Sequence, residues 1–303
     1  MMHINSYLIL LSWIIVLHSC HCAASVLIYV PIHKPTWVSM RRFYRAAFSH
    51  RPSSTITVDV CILISGVNKT LKSSSLEGVR QVFLKKRGIF NRVDAESHPE
   101  WGGLYDRSRS QKDWVQGPNR VFYATMMTRN HDKYQFVLQM EMDVATLKKG
   151  WLDDIVSAMP EEAVVSGAQL EAGDCIAQPK DGTCSMLSTQ PKWIREHING
   201  NALFRVGPQL TGLLQASTTH YPDWPFDLAI YRAATEILKC VPGCLHKNEL
   251  MRNVPFYVDK DFFAEPAYWG RRPVFVHAPF HLRRSSYEVC PPAHAHFTQQ
   301  RWW

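Results

Sequence analysis

The feature that most constrains this chain is a run of apolar residues, Phe136, Val137, Leu138 and Met140, that ends in Glu141-Met142-Asp143. An uncharged run of this length reads as a strand buried on both faces. Helical spacing follows over residues 147–159. Side chains two apart in a strand point the same way, so both carboxylates are expected to project from the strand's carboxyl end. Open α/β sheets bind ligands at that edge. Two carboxylates there can hold a divalent cation against the oxygens of a diphosphate. The pattern recurs in Asp94-Ala95-Glu96 and Asp259-Lys260-Asp261, but neither of those follows an apolar strand.

Similar strands recur earlier in the chain, with helices between them. Residues 25–31 read as a buried strand stopped by Pro31, and residues 56–65 as a second. Residues 34–50 carry Trp37, Met40, Tyr44 and Ala47 at helical spacing, and residues 71–85 form another helical stretch. Residues 98–116 are rich in Gly, Asp, Arg and Ser, and read as a loop over the sheet edge. Pro118 suits the first position of a helix over residues 117–127. Alternation of this kind predicts an α/β fold, a mostly parallel sheet with helices on both faces. The second half is less regular. It has a short strand at 163–166, a loop at 175–192, a helix at 226–238 introduced by Asp223 and Pro225, and a late strand at 274–277. With no internal repeat and no low-complexity linker, one domain with two unequal lobes is expected over residues 25–290. Its halves are 25–150 and 151–290, and 291–303 form a tail.

Length and composition agree. The chain has 303 residues, of which 46% are hydrophobic and 20% charged, so it can bury a large core and is not disordered in bulk. The net charge of +8 suits a polyanionic ligand such as a nucleotide diphosphate. Nucleic acid is the rival ligand, but the chain shows no helix-turn-helix, zinc-finger or RNA-binding signature.

The amino terminus reads as a secretory signal. Residues 7–17 are apolar and short for a bilayer span, and Cys22-Ala23-Ala24 follows as a cleavage site would. The n-region has little charge, which leaves a short signal anchor, and thus membrane attachment, as the alternative. Either reading leads to the secretory pathway, in the Golgi or ER lumen. Asn68-Lys69-Thr70 is an N-glycosylation acceptor. Beyond the signal six cysteines remain, and Cys175 with Cys184, bracketing a Gly/Pro/Asp loop, is the expected disulfide. Cys240-x-x-x-Cys244-x-His246 offers instead three zinc ligands without a fourth.

Taken in order, several elements resemble a GT-A-fold glycosyltransferase of the secretory pathway. They are the first strand to Pro31, Gly117-Pro118-Asn119, the strand with Glu141-Met142-Asp143 and Gly150-Trp151-Leu152, His197-Ile198-Asn199-Gly200-Asn201, and Phe226-Asp227. The resemblance covers residues 26–281. It implies a nucleotide-diphosphate sugar as donor, a glycan or protein acceptor, and Mn2+ or Mg2+ as cofactor. Asp143 would then ligate the metal, with Glu141 facing the ribose or a metal-bound water and a late histidine adding a contact. Glu141 stands where the family more often has Asp. His277 is the preferred histidine, with His281, His294 and His296 as others.

Pro31, Gly117, Asn119 and Arg120 would contact the nucleotide, because a helix start offers free N–H groups to phosphate. His197, Asn199, Asn201 and Trp224 would meet sugar, with Trp193 and Trp269 as further stacking surfaces. Asp227, with Asp223 in reserve, would accept the acceptor's proton in an inverting transfer; either could instead cap the following helix. Two other functions compete. One is a non-catalytic carbohydrate-binding protein on the same fold. The other is a sugar nucleotidyltransferase, which would want a glycine-rich loop where this chain has Pro31-Ile32-His33-Lys34-Pro35.

Overall fold

The computed structural model describes residues 24–33, 37–65, 71–84, 88–98, 111–129, 131–169, 192–253 and 275–277. Residues 1–23 of the expected signal or anchor (1–24), Asn68, Cys175, Cys184, Trp269, His281, His294, His296 and the tail lie outside the described residues. Among the described residues no helix is long and apolar enough to cross a membrane.

Strands β1 (Ser25–His33), β2 (Thr57–Ser65), β3 (Arg92–Ser97) and β4 (Phe136–Gln139) are all parallel, in the order β3-β2-β1-β4. The sheet continues through β7 (Ile198–Arg205), β6 (Val165–Gln169) and β8 (Leu245–Lys247), to make seven strands in which only β7 runs antiparallel. A smaller sheet joins β5 (Val144–Thr146), β10 (Phe275–His277) and β9 (Met251–Asn253).

Helices cover both faces of the large sheet, as the alternation predicts. One face carries α1 (Trp37–Ala47), α2 (Ser73–Leu84) and α4 (Trp151–Ser157), with Met40, Phe43, Val79, Phe83, Trp151 and Ile155 in a single core with Ile28, Ile62 and Leu138. The other carries α3 (Gln111–Thr128), α6 (Pro208–His220) and α7 (Phe226–Arg232), with Phe122, Leu213 and Phe226 against Tyr29, Val137 and Phe204. A short helix, α5 (Lys192–Glu196), leads into β7. Burying each large apolar side chain contributes about 1.5–3 kcal/mol, so β1 and β4, packed on both faces, anchor the sheet.

Pro31 does not stop β1, which runs on to His33. The main-chain oxygens of Ser25 and Tyr29 accept bonds from Gln135 and Met140 on the β4 side, so Pro31, in phase with them, also faces that side. Pairing with β4 ends at Tyr29 and Gln139. The missing N–H of Pro31 therefore falls where no partner strand remains.

Strand β3, with the sequence RVDAES, is too polar to read as a buried strand and forms an edge bonded on one side only. Helix α3 begins at Gln111, so Pro118 lies inside it and not at its first position. That corrects the expected helix start, and the free N–H groups expected at Gly117 are replaced by a continuing helix. Helix α4 begins after Gly150, whose φ of 74° is left-handed and costs glycine little. Residues 144–146, just before it, form β5, because Val144 pairs with His277.

Cys240 and Cys244 form a disulfide, which corrects the zinc reading of Cys240, Cys244 and His246. Cys61 is a free thiol in the middle of β2. Burial pushes it up to about 12, against the lowering effect of the Arg129 guanidinium.

Candidate functional site

In the order β3-β2-β1-β4 the chain adds β2 and β3 on one side of β1 and then β4 on the other, and open α/β sheets bind ligands beyond the carboxyl ends of the strands at such a switch point. Pro31 and Glu141 both lie there. Glu141 and Asp143 are not in the strand itself. They occupy the turn between β4 and β5, so the turn, not strand parity, directs them.

Because β7 is antiparallel to β4, its first residues lie beside β4's last ones, with Leu203 opposite Leu138. This carries the Asn199-Gly200-Asn201 segment to the acidic turn. The Glu141 N–H donates to Asn201 Oδ1 at 2.7 Å, and Asn201 Nδ2 donates to Glu141 Oε2 at 3.2 Å. Asn199 Oδ1 in turn accepts from the Asn201 N–H at 3.0 Å and from Asn201 Nδ2 at 3.1 Å. Asn201 is 2% exposed, so these bonds hold the turn with little competition from water.

His277 reaches the same region by backbone register. It is the residue of β10 opposite Val144, the neighbour of Asp143. Among the described residues no group of three or more His, Cys, Asp or Glu side chains converges as a metal cluster.

A second pair lies on the same side of the sheet. His197 Nε2 is 3.5 Å from Asp227 Oδ2, and the His197 side chain is 11% exposed against 20% for Asp227. Asp227 Oδ1 accepts the N–H of Leu228 at 2.9 Å, and the capping position of α7 belongs to Pro225, with no side-chain cap. The capping alternative for Asp223 and Asp227 is thus not realised. Asp223 is exposed in the turn before α7. Next to the pair, Tyr231 donates to Glu196 Oε2 at 2.9 Å. A small, mostly apolar hollow between β7 and α7 has Asn199, Gly200, Phe226, Asp227 and Tyr231 in its wall together with Val165, Ile198 and Ile230.

Asn119 has a different position from the one expected. Its Nδ2 donates to the carbonyl of Trp224 at 2.6 Å, and its Oδ1 accepts the Phe226 N–H at 2.8 Å. Both ends of the amide thus hold the loop that delivers Asp227. Gly117 is buried and Arg120 exposed on the same helix. Trp224 is half-buried, with the Trp193 ring edge-on at 5.4 Å between centroids and the Arg232 guanidinium 4.6 Å over its ring. Arg232 also bonds to Glu236 through Nε and Nη2.

Gly200 has a packing reason to be glycine. A Cβ there would lie 2.7 Å from Phe226 Cζ, and the Phe226 ring is stacked at 4.1 Å on Phe122, so it has little room to retreat. Gly200→Ala is expected to cost about 1–3 kcal/mol, seen as a lower urea midpoint. It should also disturb the hollow, since Asp227 follows Phe226. A midpoint equal to the parent's would refute this packing account.

No family model matches the sequence, and no curated protein does. Solved structures resemble the fold at low identity. Mouse xyloside xylosyltransferase 1, in its apo form, superposes with a TM-score of 0.46 and 12% identity over 84% of this chain and 98% of its own. The galactosyltransferase LgtC in complex with donor and acceptor sugar analogues gives 0.46 and 11%, over 83% of this chain and 86% of that one. An active-site mutant of LgtC gives 0.45 and 12% over the same shares. By these measures the chain is similar in overall course, at low sequence identity, to glycosyltransferase structures.

Proposed function

We propose that the protein is a glycosyltransferase that moves a sugar from a nucleotide-diphosphate donor to a hydroxyl acceptor with the help of a divalent metal. The observation that carries this reading is the meeting of Glu141, Asn199 and Asn201 beyond the carboxyl end of β4, with His197, just before β7, paired to Asp227. A diphosphate is acceptor-only and anionic, and a metal held by carboxylates is what lets it approach an acidic turn.

The donor chemistry suits such an ion: Asp143 and Glu141 would supply carboxylate oxygens, and His277, opposite Val144 in the register, would be the third ligand. Hard oxygen donors with one imidazole suit Mn2+ or Mg2+ better than a thiolate-seeking metal. When bound, the metal would supply Lewis-acid neutralisation of the leaving diphosphate. Asn201 orients the turn through its bonds to Glu141, and Asn199, held through its Oδ1, would offer its amide nitrogen to a hydroxyl. Asp227, steadied by His197, takes the proton from the acceptor hydroxyl as the new glycosidic bond forms. Trp224 and Trp193, packed against each other by the loop before α7, would offer aromatic surface to an acceptor sugar. The loss of the helix start at Gly117 removes the N–H reading there, and Arg120 remains as a charge for the nucleotide.

We place the protein in the lumen of the secretory pathway, on the amino-terminal signal and the Asn68 acceptor.

The test is a thermal-shift screen of nucleotide sugars with and without manganese. A ligand that binds the folded state raises its midpoint by mass action. The expected result is a shift with a nucleotide sugar that grows when manganese is added. No shift with any nucleotide diphosphate or its sugar conjugates would overturn the reading.

A further inference from the structure

Among the described residues four large apolar side chains are exposed, Met127, Ile237, Leu238 and Val241, at 41%, 39%, 44% and 37%. All four lie at one edge of the sheet. Strands β1, β4, β6 and β8 run the same way, so their first residues share an amino edge, opposite the acidic turn. Met127 is in the last turn of α3, which leads into β4. Ile237 ends the helical turn Ala233–Ile237 that continues α7 towards this edge. Leu238 and Val241 follow in the loop before β8, which the Cys240–Cys244 disulfide closes. The N–H groups of Val164 and Val165, where β6 starts, donate to the Cys244 carbonyl at 2.9 and 3.0 Å, and this fixes the loop to the amino edge.

Apolar side chains scattered singly over a surface need no explanation, but a group of them with a polar surround marks a contact. A second copy of the chain is a poor occupant here. Four side chains exposed by about two-fifths fall well short of the roughly 800 Å² per partner that a stable interface needs. A lipid surface fits better, because the chain enters β1 at Ser25 on this same edge. The apolar residues 7–17 precede Ser25 by only the stretch 18–24, which spans at most about 25 Å when extended. A bilayer that holds 7–17 therefore lies close to the amino edge. That apolar run is short for a span, and a weak anchor is made stable by a second contact. Exposed charges along the edge have both signs, Lys133 and Lys239 with Glu161 and Glu162, so apolar insertion, not attraction to anionic lipid, carries the contact.

We propose that the amino edge of the sheet is a membrane-facing surface, with Ile237, Leu238 and Val241 seated in a phospholipid bilayer beside the segment 7–17. Gln139 pairs with Tyr29, so Glu141 is level with Pro31. At about 3.3 Å per residue the acidic turn then stands up to roughly 20 Å further from the lipid than Ser25, open to a soluble donor.

The experiment uses the full chain in phosphatidylcholine vesicles that carry a lipid-soluble diazirine, photolysed and mapped by mass spectrometry. Label is expected on residues 237–241 as well as on 7–17, and none on the turn at Asp223 and Trp224. The variant Ile237→Ser/Leu238→Ser/Val241→Ser should keep the parent's melting temperature, since these side chains are exposed. Its label at 237–241 should fall by about tenfold or more, while label on 7–17 persists, because each apolar side chain withdrawn from water is worth up to about a decade. Should the triple variant fail to fold, Leu238→Ser alone is expected to give a smaller loss in the same direction. Label on 7–17 with none on 237–241 in the parent overturns the proposal. So does label on 237–241 that the serine variants do not reduce. A parent released without 1–24 that does not float with the vesicles overturns it too. Dimers in the parent that the triple variant abolishes, with 237–241 unlabelled, assign the surface to a second copy and overturn it as well.

Discussion

Asp227→Asn is expected to reduce turnover by about 10²–10⁴-fold, the usual contribution of a positioned base, and to leave donor affinity nearly unchanged. The amide has the same shape. It can still accept the Leu228 N–H that Asp227 Oδ1 accepts, and the helix start at Pro225 does not depend on it, so folding should survive. What is lost is the capacity to take a proton from the acceptor. That matters in the transition state and hardly at all for binding a nucleotide, so kcat should fall while the donor constant holds. His197, 3.5 Å away, would keep the side chain in place but cannot supply its charge. Turnover within a few-fold of the parent would move the role to Asp223, or to a transfer with retention that needs no such base.

Asp143→Ala is expected to abolish the manganese-dependent part of donor binding. A metal that neutralises a diphosphate contributes several kcal/mol, so apparent donor affinity should fall by more than about 10²-fold. Manganese should then no longer raise the melting temperature in the presence of a nucleotide sugar. Folding should persist, since Asp143 sits in a turn held by the Asn201 bonds to Glu141 and by the β5–β10 pairing. Transfer at the parent's rate with this variant would exclude the acidic turn as the donor site. Read with the Asp227 variant, the two effects should separate: one on binding, the other on the chemical step.

The strands β1, β2 and β4 were legible as apolar runs because each is covered on both faces, and burial of that kind leaves a mark in the sequence itself. The helices α1, α2 and α7 were legible for the same reason in a different period, with Met40, Tyr44 and Ala47 buried as their spacing predicts. The acidic turn was visible because two carboxylates after an uncharged strand are a local event. So was the Asn199-Gly200-Asn201 segment, as a motif without an address.

Where that segment goes was decided only by tertiary structure. Strand β7 enters the sheet antiparallel to β4, and this puts residues sixty positions apart within hydrogen-bond distance. No local propensity encodes such a register, because pairing depends on what each strand buries against its neighbours. The same holds for β3, polar because it is an edge, and for β5, three residues that become a strand only when β10 arrives. Asn119 looked like a nucleotide contact, and its amide is spent on the loop before α7. The sequence by itself determined which segments are buried and which residues carry chemistry. Which of those residues come together, and which are spent on holding loops, followed from long-range strand pairing and packing, whose free energy belongs to contacts between segments and not to any one of them.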